Sequence, residues 1–100
     1  MNVCSYMQAQ HIAKITDAFK ILADPTRLQI LYLLFHTKKE LCVGEIADAV
    51  GASHSAVSHQ LEKLETRGIV SCTRMGQMMC YEVVDNSLTR KLKNTVDLFQ

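Results

Sequence analysis

Two amphipathic segments parted by only three residues, Gly51-Ala52-Ser53, constrain this 100-residue chain more than any other feature. The first carries Ile46, Ala47 and Val50 on one face and stops at Gly51. The second, over 54–67, has Val57, Leu61 and Leu64 as an inward stripe, with Gly68 where a C-terminal glycine cap belongs. Ser53 supplies the N-cap of that second helix, because its short side chain accepts from a free backbone N–H in the first turn. A short helix, a tight turn and a longer helix make a helix-turn-helix over about 43–67.

The rest of the chain arranges itself around this unit. Ile12, Ile15, Phe19 and Leu22 recur at helical spacing and mark a terminal helix over about 9–23. Asp24-Pro25 provides an N-cap and a first-position proline for a helix over 26–35 that is apolar almost all round and therefore central. After a polar loop at 36–40 comes the helix-turn-helix. Runs at 69–74 and 78–84 then read as strands parted by Met75-Gly76-Gln77. Leu88, Leu92, Val96 and Phe99 mark a last helix over about 87–99. The expected architecture is one domain, 1–100, mainly α with a small β-hairpin: a winged helix-turn-helix of order α-α-α-α-β-β-α, its wing at about 69–84.

Composition bounds the function. Hydrophobic residues make up 48% and charged residues 21%, as in an ordinary globular domain. No apolar run approaches the roughly 18 residues that span a bilayer, and residues 1–10 lack the cationic start of a signal peptide. The expectation is a cytoplasmic protein with no membrane partner. Its four cysteines, Cys4, Cys42, Cys72 and Cys80, then begin as thiols suited to metal binding or thiol chemistry rather than to a disulfide framework. There is no strand-end nucleophile turn, phosphate-cradling glycine loop or paired carboxylate arrangement, so an enzyme is not expected.

The net charge of +1 does not by itself point to nucleic acid; the organisation does. A helix-turn-helix sets the start of its second helix in the major groove of double-stranded DNA. The outward residues there are Ser53, His54, Ser55, Ser58 and His59, short or planar groups that reach phosphates and base edges. Gln60, Lys63 and Arg67 lie further along, Arg67 better placed for a phosphate than for a base. Arg74 and Gln77 flank the wing tip, within reach of the backbone or adjacent minor groove. The low charge favours an alternative, a winged-helix protein-interaction module without operator binding.

The runs Phe19-Lys20-Ile21-Leu22-Ala23-Asp24-Pro25-Thr26-Arg27-Leu28, Glu40-Leu41-Cys42-Val43-Gly44-Glu45-Ile46 and Ser53-His54-Ser55-Ala56-Val57-Ser58-His59-Gln60-Leu61 are familiar. With Leu64, Gly68-Ile69-Val70 and the Tyr81 strand, they resemble the ArsR-type family of winged-helix repressors over roughly 18–84. The resemblance implies a homodimer whose terminal helices pack together, a palindromic operator, and release when an inducer binds. The residues agree: Ile12, Ile15, Phe19, Leu88, Leu92, Val96 and Phe99 offer more apolar surface than so small a domain readily buries alone. Gln60 departs from the histidine common at that position, and the wing is less basic than usual.

The resemblance also implies a sensing site. Many relatives bind arsenic(III), cadmium or lead through a Cys-x-Cys pair; here Cys42 matches the first position and Gly44 replaces the second. Cys4, with His11 or His36, is a candidate to complete a soft-metal site; otherwise Cys42 is a small packed hydrophobe. A second family site on the last helix is absent, since Asp85 fits but Ser87 stands where histidine is required. With a three-residue wing tip, Cys72 falls opposite Cys80, within disulfide range. Met75, Met78 and Met79 beside Cys80 suggest copper(I). Cys42 also matches half of a thiol redox switch found in some relatives, whose usual partner on the last helix is missing.

Overall fold

The computed structural model describes the backbone of residues 2–100 and the side chains of residues 8–100. Helix α1 spans Asn2–Leu22 and α2 spans Pro25–Phe35. The Asp24 carboxylate caps α2, accepting from the Arg27 backbone N–H at 3.1 Å, and Pro25 opens it. A two-residue strand, β1 (Leu41–Cys42), leads directly into α3 (Val43–Val50). Gly51 ends α3 in the left-handed region at φ 69°, which lets the chain reverse within three residues into α4 (His54–Thr66). Ser53 Oγ accepts from the Ala56 N–H at 3.1 Å, the expected cap.

Strands β2 (Val70–Met75) and β3 (Met78–Val83) form the wing, and α5 (Ser87–Asp97) closes the chain. The sheet has three antiparallel strands in the order β1-β3-β2, one more than the expected hairpin. Ile30, Leu31, Ile46, Val57, Leu61, Leu64 and Ile69 make the core, with α2 at its centre. Among the described residues no helix is long and apolar enough to cross a membrane.

The wing register corrects one expectation. Met75 pairs with Met78, so the tip has two residues, Gly76 and Gln77, rather than three. Gly76 at φ 67° occupies the first central position and Gln77 has no positive φ, the pattern of a type II′ turn. Shortening the tip by one residue moves every cross-strand partner by one. Cys72 therefore faces Tyr81, Thr73 faces Cys80, and the expected Cys72–Cys80 pairing does not occur.

A second difference concerns the terminal helices. Ile12, Phe19 and Phe99 are exposed, at 56%, 54% and 84%. Leu92 and Val96, expected on the same face, are buried within the protomer's own core, and Leu88 is half-buried against it. Helical periodicity identifies an apolar stripe but not what covers it.

Candidate nucleic-acid interface

Helix α4 presents Ser53, His54, Ser55, His59 and Lys63 to solvent, with Ser58 half-buried among them. The inward stripe of Val57, Leu61 and Leu64 anchors the opposite side and sets this outward face. Between the start of α4 and the wing lies a cleft of about 550 Å³. Cys42 and Glu45 form one wall, His54 and Ser58 another, and Gln77, Met78 and Met79 a third. The wing is exposed from Thr73 to Met79; Arg74 is its one cation, and its Nε donates to the Gly76 carbonyl at 3.3 Å. The start of α4 and the wing tip thus border one gap.

Two residues expected on this surface are engaged inside the protomer. Gln60 Nε2 donates to Asp24 Oδ2 at 3.2 Å, tying α4 to the cap of α2. A signal for this was present in the chain, since Gln60 lies three residues after Val57 and four before Leu64, on the inward stripe. Arg67 Nη1 donates to both Asp17 carboxylate oxygens at 2.7 Å, linking the end of α4 to α1. Sequence reasoning missed Asp17 because the partners are 50 residues apart.

The Asp24 carboxyl is held below the ordinary carboxylate range, chiefly by the Arg27 backbone N–H, then by the Arg27 guanidinium and the Gln60 amide. A depressed folded pKa stabilises the fold when the group is ionised. That contribution is complete above the ordinary carboxylate range and is lost as pH falls through the folded value. Urea unfolding of wild type and Asp24→Asn should therefore differ most near neutral pH and converge in acid; a constant gap would show that ionisation of Asp24 plays no part.

Among the described cysteines a different pair comes together from the expected Cys72 and Cys80. Cys42 and Cys80 are register partners across β1 and β3 and form a disulfide. Cys80 is fully buried, whereas Cys42 is partly exposed at the start of α3, where its N–H donates to Glu45 Oε1 at 3.0 Å. Cys72 is a free, half-buried thiol on the other face of the sheet, beside Tyr81. Burial, then hydrogen bonding to Cys72, pushes the Tyr81 hydroxyl up to about 12, so it stays protonated. Cys4 lies outside the residues whose side chains are described.

The described residues do not bring together a donor set for a soft metal. Among the described residues no three His, Cys, Asp or Glu side chains come together as ligands, and tight sites use three or four. His36 Nδ1 lies 2.8 Å from the Tyr32 carbonyl, and its Nε2 lies 3.6 Å from Asp97 Oδ1. Asp85 accepts from Arg90 Nε at 2.8 Å, which holds its carboxyl low. Met75, Met78 and Met79 are exposed.

Comparison with known proteins agrees with this geometry. Residues 24–71 match the model of the bacterial regulatory protein, arsR family. The chain is 38% identical over 99 residues to a transcriptional repressor SmtB homolog from Synechocystis, covering 99% of this chain and 71% of that protein. It is 39% identical over 67 residues to the cadmium resistance transcriptional regulatory protein CadC of Listeria innocua, covering 67% of this chain but 56% of that one. Among solved structures, the AntR antimony-specific transcriptional repressor superposes with a TM-score of 0.74 at 36% identity, over 88% of this chain and 78% of that one. The homodimeric winged helix-turn-helix DNA-binding domain of a possible ArsR-family regulator from Mycobacterium bovis gives 0.72 at 28% identity, over 91% and 82%.

Proposed function

This chain belongs to the arsR family of bacterial regulatory proteins, and on that footing we propose that it represses transcription as a homodimer on a palindromic operator in the cytoplasm. Its family is one of transcriptional regulators, not enzymes. The observation that carries the proposal is the outward start of α4, where His54, Ser55 and His59 are exposed and where His54 and the half-buried Ser58 line one cleft with the wing. These side chains read base edges, while Lys63 and Arg74 contact phosphates. Gln60 and Arg67 act from behind, orienting the helix through Asp24 and Asp17.

The exposed Ile12, Ile15, Phe19 and Phe99 supply the dimer face. An apolar groove of about 410 Å³, lined by Phe19, Leu22, Leu28, Val96 and Phe99, continues it. Doubling the protomer on a two-fold axis doubles the DNA contacts and offsets the low charge of each copy.

The inducer acts on cysteine. Cadmium is a candidate inducer beside a cadmium-resistance regulator and an antimony-specific repressor among the relatives, and arsenic(III) and copper(I) stay candidates on the soft-metal chemistry of the cysteines and wing methionines. The described cysteines favour a thiol-modifying species over a resident cation, since among the described residues the two that face each other have no third ligand beside them.

Fluorescence anisotropy on the protein's own upstream DNA tests the reading. Two cations per protomer, Lys63 and Arg74, give four phosphate contacts per dimer. The slope of log affinity against log salt should then be roughly −3 to −4. His59→Ala should weaken specific binding by about 1–3 kcal/mol. A shallow salt dependence with no effect of His59→Ala would replace the repressor with a protein-interaction module.

A further inference from the structure

The Cys42–Cys80 disulfide joins the two parts of the DNA-reading head. Cys42 sits where β1 passes into α3, the first helix of the helix-turn-helix, and Cys80 sits on the wing strand β3. The bond spans 38 residues of sequence. Every residue assigned above to DNA contact, from Ser53 to Gln77, lies inside the loop it closes.

The two thiols differ in access. Cys80 is fully buried, so no external reagent reaches it directly. Cys42 is partly exposed and lines the cleft of about 550 Å³ that also holds His54, Ser58 and Met79. This is the division of labour of an attacking and a resolving thiol. Cys72 takes no part, since it projects from the opposite face of the sheet.

We infer that Cys42 and Cys80 form a reversible dithiol–disulfide switch, oxidised by a low-molecular-weight disulfide that enters the cleft at Cys42, and that the crosslinked form releases the operator. The inference rests on the repressor reading above. Bacterial DNA lies in a compartment that keeps thiols reduced. The dithiol is therefore the resting state, in which a repressor must hold its operator, and the disulfide is the exceptional state that signals release. Crosslinking also fixes the wing root to the start of α3, so the wing and α4 can no longer adjust independently to the duplex.

The chemistry balances with a disulfide RSSR as oxidant. The Cys42 thiolate attacks one sulfur, the RS–SR bond breaks, and RS⁻ leaves and takes up the proton that Cys42 gave. The Cys80 thiolate then attacks Cys42 Sγ, the mixed Cys42–SR bond breaks, and a second RS⁻ leaves and takes up the Cys80 proton. Two electrons and two protons pass from the pair to RSSR, giving two RSH and the intramolecular bond. Excess thiol reverses both steps.

The test uses the full chain on its own upstream DNA, reduced with dithiothreitol or oxidised with glutathione disulfide, with peptide mass mapping of each state. We expect the reduced protein to bind, the oxidised protein to bind at least tenfold more weakly with a mapped Cys42–Cys80 link, and dithiothreitol to restore affinity. Cys42→Ser should remain bound in glutathione disulfide, and Cys72→Ser should respond as wild type does. Equal affinity of the crosslinked and reduced forms, tighter binding by the crosslinked form, or a link through Cys72 overturns the switch and leaves the repressor standing. No specific binding in either state overturns both.

Discussion

Reducing the Cys42–Cys80 bond is expected to lower the melting midpoint by about 15 °C or more, measured at one protomer concentration with and without dithiothreitol. The bond closes a loop spanning 38 residues. On the chain-entropy account, such a loop removes about 3–4 kcal/mol of unfolded-state freedom. Each kcal/mol is about 4–8 °C for a domain near this size. The effect should be felt first at β1, which has two residues and one neighbour, β3. A shift below about 5 °C would show that the reduced unfolded chain already keeps these strands close together.

Phe19→Asp should convert the proposed dimer to monomer in sedimentation and abolish specific operator binding at micromolar protein. Phe19 projects from α1 at 54% exposure, beside Ile15 and the Phe99 groove. A two-fold axis presents every substitution twice. An unpaired carboxylate buried in an apolar interface costs about 3 kcal/mol per copy. Two copies cost about 6 kcal/mol, weakening the dimer on the order of ten-thousand-fold. A monomer whose far-UV spectrum and α4 contacts are unchanged would locate the loss in pairing rather than folding. A variant that stays dimeric would remove α1 from the interface.

Local signals carried most of the architecture into plain view. Asp24-Pro25, Ser53 and Gly51 announce their caps by residue type, because each satisfies or frees backbone groups within a few residues. The stripe of Val57, Leu61 and Leu64 correctly oriented α4. What stayed hidden depends on distant partners. Strand β1 is too short to show a period, and only pairing with β3 makes it a strand. The wing register turned on whether Met75 belongs to the tip or to the strand, a choice that Gly76 at the first turn position decides. That one-residue choice set Cys72 on the opposite face from Cys80, whose partner Cys42 comes instead from β1 on the other side of β3. Gln60 and Arg67 looked outward by residue type, yet their partners Asp24 and Asp17 lie 36 and 50 positions away.

The Arg67–Asp17 bridge, half exposed and worth about 0.2–1 kcal/mol, matters more for direction than for energy. It references the far end of α4 to α1, the helix that carries Phe19 and Ile15, while Gln60–Asp24 references its middle to α2. If α4 reads the operator and α1 pairs the two copies, as proposed, the letters of an operator and the gap between its halves are written in different places. Changes at His54, Ser58 and His59 can rewrite the letters without moving the halves apart. Changes along α1 can reset the gap without altering a letter. A regulator built this way can acquire new binding sequences and new site spacings in independent steps.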